Sequence, residues 1–313
     1  MRRPMVKGCL GLSLIALVVA IGAVALAFLQ GRRTPPGAPV YVALGSSYAA
    51  GAGLGELQLG SPLLCARSIG GYPPRLARML RLPLVDMSCG GAVSAHLLRG
   101  GQAFQGAQIR VIDARTQLVT ITAGGNDIGL VGDLSSMALR RQPTLLGRIT
   151  RQMWGGPKVT RDYAGLRRNL VAILQTIHAR APRARIVLAS YPAILPPEGT
   201  CASLQLTEGE VAAMRQVEAA LAATTRDAAR EGGAAFVDMH RLGAPHHACS
   251  AKPWVHGWSA LLDAPFHPTA AGAEATAHAI AAALRLPAGV AAVGEHDASR
   301  HQAGRVGGEK QHG

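Results

Sequence analysis

The chain has 313 residues, and its 32 Lys+Arg against 18 Asp+Glu leave a formal charge of +14. Hydrophobic residues at 49% and charged residues at 16% exclude a disordered polyelectrolyte for most of the chain, whose length suits one large or two small domains. Aromatics at only 4% argue against a stacking platform for single-stranded nucleic acid, so no nucleic-acid partner is expected.

Arg2, Arg3 and Lys7 precede a charge-free, mostly apolar run over residues 8–29. At about 1.5 Å per residue that run is long enough to cross a hydrocarbon core, and the positive charge ahead of it holds the N-terminus in the cytoplasm. Residues 1–31 therefore read as a signal peptide or membrane anchor, with everything after them exported. Ordinary secretory segments are shorter, which favours a retained anchor, although Ala25-Leu26-Ala27 would serve as a cleavage site. Cys9, close behind Lys7, makes a poor lipoprotein cysteine. Residues 32–38, with Arg32, Arg33 and Pro35-Pro36-Gly37, form a linker.

From 39 to 287, apolar β-type runs alternate with longer amphipathic stretches, the pattern of a parallel sheet wrapped by helices. Strands are predicted at 40–45, 83–87, 118–123, 185–190 and 234–238, each nearly continuous in apolar residues as a buried parallel strand should be. Helical spacing predicts helices at 161–180, 208–231 and 270–284, the second opened by a capping box at Thr207-Glu208-Gly209-Glu210. Five strands with right-handed crossovers make one three-layer α/β/α domain. Residues 288–313 lack periodicity and are expected to be disordered.

Four cysteines follow the apolar run: Cys65, Cys89, Cys201 and Cys249. An even number on the exported side suggests two disulfides, and nearest-neighbour pairing gives Cys65 with Cys89 and Cys201 with Cys249. Each would add roughly 3 to 4 kcal/mol by restricting the unfolded chain. No CxxC or HxxxH spacing occurs, so no metal is expected. His246, His247 and His256, near Cys249 and Trp254, read as a disulfide-pinned loop.

In an open α/β sheet the site forms beyond the carboxyl ends of the strands. After the first strand come Gly45-Ser46-Ser47-Tyr48-Ala49-Ala50-Gly51, a turn that exposes a hydroxyl at a helix start. After the second comes Ser88-Cys89-Gly90-Gly91-Ala92, and after the third Gly124-Gly125-Asn126-Asp127, whose asparagine carries a donor suited to an oxyanion. Near the end, Asp263-Ala264-Pro265-Phe266-His267-Pro268 runs into the last helix and places a histidine where a general base belongs. The glycines at 51, 53 and 55 do not fit a dinucleotide fingerprint, because Glu56 and Gln58 stand where its last glycine belongs.

Together these segments resemble the SGNH hydrolases, the GDSL-like lipase/acylhydrolase family. Leu44-Gly45-Ser46-Ser47-Tyr48 matches the nucleophile block, Gly91 the second, Gly124-Gly125-Asn126-Asp127 the third and His267-Pro268 the last. The resemblance implies a flavodoxin-like five-stranded sheet, Ser47 as nucleophile and His267 as general base. It also implies an oxyanion hole from the Ser47 and Gly91 N–H groups and the Asn126 amide. The substrate would be a small-molecule or lipid ester, with no cofactor and with acyl transfer through Ser47.

Cys65-Ala66-Arg67-Ser68 followed by Tyr72-Pro73, and Cys249 followed by Trp254, resemble a secreted branch of that family whose cysteines are bridged. Two positions depart from the pattern. Ser46 stands where the family often has Asp, and Ala264 stands three residues before the histidine, where an acidic residue is usual. The group orienting His267 is then a backbone carbonyl near Ala264, which that branch can use, or the Asp263 carboxylate, or Asp238 at the end of the fifth strand.

The alternatives on the same fold are a carbohydrate O-deacetylase and a non-catalytic envelope-binding protein. Inserts at 55–72, 129–160 and 192–206 would shape the substrate, and the arginine-rich stretch 140–168 is expected to rest against acidic lipid or polymer. A monomer is expected.

Overall fold

A computed structural model describes residues 4–158, 160–258 and 264–285, with side chains from residue 15 onward. Asp263 and the tail at 288–313 lie outside the described residues.

Helix α1 (Pro4–Arg32) contains the whole apolar run. Its segment Ile15–Arg32 has a mean hydropathy of 2.0 and is long and apolar enough to cross a membrane, with its large side chains exposed. The five strands follow as β1 (Tyr41–Gly45), β2 (Leu84–Asp86), β3 (Leu118–Thr122), β4 (Arg185–Ala189) and β5 (Ala235–Val237). They lie in the order β2-β1-β3-β4-β5, all parallel, with Tyr41 beside Leu84 and Leu118, Leu118 beside Arg185, and Val187 beside Ala235.

Alternation along each strand divides the core into two layers. Val42, Leu44, Val119, Ile121, Ile186 and Leu188 face one side and pack on α4 (Ser94–Arg99), α7 (Tyr163–Arg180) and α8 (Glu208–Glu231). Tyr41, Ala43, Leu118, Val187 and Ala189 face the other and pack on α3 (Tyr72–Leu80) and α10 (Ala270–Arg285). The short helices α2 (Ser47–Ala50) and α9 (Met239–Gly243) follow β1 and β5 directly.

Predicted caps and observed ends agree closely. Helix α8 starts at Glu208, with Thr207 Oγ1 accepting the Glu210 N–H at 3.3 Å and Glu210 Oε2 accepting the Thr207 N–H at 2.9 Å. Helix α7 begins two residues later than expected because Asp162 caps it, accepting the Gly165 N–H at 2.7 Å.

The insert at 129–160 holds two further helices, α5 (Leu130–Leu139) and α6 (Leu145–Met153), and several arginines in and just after it are paired within the chain. Arg140 and Arg141 reach the Glu210 carboxylate at 3.0 and 2.7 Å, and Arg161 pairs with Asp133 at 2.8 Å in a buried ion pair. Arg151 donates to the carbonyls of Arg140 and Gln142. The Glu210 pairs fasten the insert to α8, while Arg167 and Arg168 beyond it keep half or more of their side-chain surface exposed.

Candidate active site

The residues singled out after β1, β2 and β3 and before α10 lie along one edge of the sheet, beyond the strands' carboxyl ends. Gly45 ends β1 at φ +141°, and a Cβ there would stand 2.2 Å from the Thr122 carbonyl oxygen, so only glycine lets the chain turn away from β3 at this point. The buried Gln108 amide spans the same glycine, accepting its N–H at 2.8 Å and donating to its carbonyl at 3.0 Å. Ser47 is the first residue of α2, so its N–H is one of the helix's unpaired donors.

Ser47 Oγ and His267 Nε2 are 2.7 Å apart, although 220 residues separate them in the chain. His267 Nδ1 lies 2.8 Å from the Pro265 carbonyl oxygen. A carbonyl only accepts, so Nδ1 carries the hydrogen and Nε2 is left to accept from the Ser47 hydroxyl. The orienting carbonyl is that of Pro265, one residue beyond Ala264, whose own carbonyl accepts the His267 backbone N–H at 3.3 Å. Asp238 is engaged elsewhere, capping α9 by accepting the Arg241 N–H at 3.0 Å.

Burial lowers the His267 pKa below the ordinary histidine value. The Pro265 carbonyl opposes that shift and the charge of nearby His256 adds to it. The shift favours the neutral imidazole, the form able to accept a proton.

The loop carrying His267 is gripped from both sides. The Tyr48 hydroxyl donates to the Phe266 carbonyl, and the His256 N–H donates to the His267 carbonyl at 2.9 Å. Phe266, fully buried, holds a left-handed backbone at φ +58°, a conformation that costs a non-glycine residue roughly 1 to 2 kcal/mol. The Tyr48 ring lies 5.2 Å from the imidazole and 4.3 Å from the Tyr191 ring.

Asn126 Nδ2 donates to the Ala92 carbonyl at 2.9 Å, which joins the turns after β3 and β2 and leaves the second amide hydrogen for a ligand. Asp127 turns inward, accepting the Ser94 N–H at 2.9 Å and the Ser94 hydroxyl, while Asn169 Nδ2 donates to Ser94 Oγ at 2.9 Å. Gly91 is exposed on the adjoining turn, where the Gln102 amide donates to the Gly90 carbonyl at 2.6 Å.

The turn at Gly91 rests on the first of the two expected disulfides and on a buried arginine that the sequence reading did not single out as support. Cys65 is bonded to Cys89, and the Gly90 N–H donates to the Cys65 carbonyl at 2.9 Å. Arg67, buried beneath them, donates from Nε to the Ser88 carbonyl at 2.8 Å and from its terminal nitrogen to Gln105. The second disulfide, Cys201 to Cys249, ties the insert at 192–206 to the loop that carries Trp254. His246 stacks on Trp254 at 4.2 Å, and no cluster of potential metal ligands occurs among the described residues.

Tyr191 is the residue that the strand-end reading missed. It follows β4 by two positions, and its hydroxyl lies 2.7 Å from Ser46 Oγ and accepts the Gly125 N–H at 3.2 Å. The rule that located Ser47 and Asn126 would have found it, had the fourth strand been treated like the first three.

Residues 43–275 match the GDSL-like lipase/acylhydrolase family. Lipase 2 of Streptomyces coelicolor is 32% identical over 294 residues, 86% of this chain and 95% of that protein. The extracellular lipase from Streptomyces rimosus has a crystal structure that matches with a TM-score of 0.62 at 29% identity, over 77% of this chain and 98% of that one. Phospholipase A1 from Streptomyces albidoflavus matches equally, with a TM-score of 0.62 at 28% identity over the same shares of the two chains.

Proposed function

The chain belongs to the GDSL-like lipase/acylhydrolase family and hydrolyses carboxylic esters, and from that premise we propose that it is an exported, membrane-anchored serine esterase working through an acyl-enzyme on Ser47. The observation that carries this reading is the 2.7 Å contact between Ser47 Oγ and His267 Nε2. It supplies what a serine hydrolase requires, a hydroxyl within proton-transfer distance of a neutral base.

His267 Nε2 takes the Ser47 proton as the oxygen attacks the ester carbonyl. The charge that develops on the carbonyl oxygen is met by the Ser47 and Gly91 N–H groups and the free N–H of Asn126. The imidazolium is held through Nδ1 by the Pro265 carbonyl, a neutral acceptor that fixes the tautomer but stabilises the cation less than a carboxylate would. His267 then gives its proton to the departing alcohol. Water, deprotonated by the same nitrogen, attacks the acyl-enzyme, and collapse of the second tetrahedral adduct frees the acid and restores Ser47. Lipid esters are the favoured substrates, because the relatives are named lipase and phospholipase A1.

Export is supported by the apolar helix ahead of the domain and by the two disulfides. Retention of the anchor is supported by α1 itself. Its apolar run is longer than an ordinary secretory segment, and its last turn packs on the domain.

The test is hydrolysis of short- and long-chain p-nitrophenyl esters by the full chain beside Ser47→Ala, with the intact mass of the membrane-extracted protein. Turnover that disappears in Ser47→Ala is expected, together with a mass that includes α1. Equal rates for the two proteins would end the esterase mechanism, and a mass that begins beyond Ala27 would end the anchor.

A further inference from the structure

The last turns of α1 sit on two loops of the catalytic domain. The Phe28 ring meets Phe104 edge-on at 5.8 Å, and Gln30 Oε1 accepts the Leu63 N–H at 3.2 Å. Gly31 is buried against the second loop so closely that a Cβ there would stand 2.2 Å from the Ala103 carbonyl oxygen. In the linker, Pro36 comes close to Gly60.

Around this junction the loops turn large apolar side chains outward. Leu59 is 90% exposed, Leu63 62%, Leu64 57% and Phe104 43%. One exposed leucine carries no message, but four such side chains gathered where a membrane-length helix joins its domain form a patch that water does not favour. Arg32 and Arg33 close the same junction, and Arg110 reaches across to the Arg33 carbonyl at 3.3 Å, a cationic rim suited to anionic headgroups.

The same two loops hold the turn that bears Gly91. Gln102 donates to the Gly90 carbonyl at 2.6 Å, and Cys65, next to Leu64, is bonded to Cys89. Only a few residues separate the apolar patch from the proposed oxyanion donors.

Building on the anchored reading above, we infer that Leu59, Leu63, Leu64 and Phe104 seat the domain on the bilayer that α1 crosses, so that the cleft at Ser47 and Gly91 takes ester lipids from that same bilayer. The occupant of the patch is the membrane surface, because α1 fixes the patch beside it. Gln30 occupies the backbone donor of Leu63, which would otherwise enter the interface unpaired.

The experiment uses the full chain reconstituted in vesicles of phosphatidylcholine and phosphatidylglycerol that contain a fluorogenic phospholipid ester, with p-nitrophenyl acetate as a water-soluble control. The double variant Leu63→Gln, Leu64→Gln and the single variant Phe104→Gln are compared with the wild type. Expected is a fall of tenfold or more on the bilayer ester, with the acetate rate held within twofold and flotation with the vesicles unchanged. An unchanged bilayer rate overturns the inference, as does a parallel loss on both substrates, which would mark the loops as structural. A shift in particle size in detergent with no loss on the bilayer ester would mean that a second copy covers the patch, and also overturns it. Wild-type protein that fails to float would overturn anchor and seating together while leaving the acetate reaction standing. Acetate turnover that persists in Ser47→Ala would refute the serine mechanism separately.

Discussion

Ser46 Oγ and the Tyr191 hydroxyl stand 2.7 Å apart in the interior, joining the end of β1 to the end of β4. The same phenol accepts the Gly125 N–H at 3.2 Å, so one side chain links the turn before Ser47 to the turn before Asn126. Burial pushes the Tyr191 pKa up to about 12, which keeps the group neutral and able to donate and accept at once. At the position where related hydrolases often carry Asp, this chain has an uncharged hydroxyl pair.

Tyr191→Phe removes that link while keeping the ring. It leaves Ser46 Oγ and the Gly125 N–H buried without their partner, at about 1 to 3 kcal/mol for each group. The expected result is a melting temperature lower by on the order of 5 to 10 °C, together with a reduced kcat as the Asn126 turn loosens. Thermal melts and ester kinetics on one preparation check both effects, and a variant equal to wild type in both would remove Tyr191 from the site's support.

Much of this arrangement was legible in the sequence because it obeys local rules. The strands are short runs such as Tyr41-Val42-Ala43-Leu44-Gly45, and burial on both faces leaves them little room for polar residues. Ser47, Asn126 and His267 stand where strand ends and helix starts dictate. Which carbonyl near Ala264 meets the ring could not be read from the residues, since every residue, proline included, offers one and only the turn at Phe266 decides which oxygen faces the imidazole. The pairing of the arginines of 140–168 was hidden for a related reason: charge is visible in sequence, but the two carboxylates that contact three of them, Glu210 on α8 and Asp133 on α5, lie outside that stretch.

The pH profile follows from the imidazole. With the His267 pKa held below 6.5, chiefly by burial and further by His256, the acid limb of kcat/KM is expected below pH 6.5. Removing the neighbouring charge in His256→Gln lets the His267 pKa rise, so the limb moves toward higher pH. Rates measured from pH 4 to 9 on a soluble ester read this directly, and a shift toward lower pH would contradict the sign.

Asn126→Ala deletes a donor to the oxyanion and also the tie to the Ala92 carbonyl. A loss of about 10² to 10³ in kcat is expected with KM little changed, since the charge that Asn126 meets exists only in the transition state. A variant that raised KM alone would assign Asn126 to ground-state binding instead.

Glu218 supplies a stability prediction with a definite sign. It is buried on α8, where Oε1 accepts the Ile194 N–H at 2.9 Å in a niche that Tyr191 and His240 also line. Burial, only partly offset by the Ile194 and Leu195 N–H groups and by Arg215, raises its pKa from 4.5 to about 8. Between those two values the folded protein keeps a proton that the unfolded chain has released, so stability falls as pH rises across this window and levels off above it. At about 1.4 kcal/mol per pH unit, the whole decline amounts to roughly 3 to 5 kcal/mol. Glu218→Gln keeps an acceptor for the Ile194 N–H and has no proton to lose. Its stability relative to wild type is therefore expected to rise from pH 5 to about pH 8 and to level off beyond, with the variant the more stable protein at the upper end. Denaturant unfolding at several pH values measures the difference, and a gap that stayed constant over that range would show that the buried carboxyl does not titrate there.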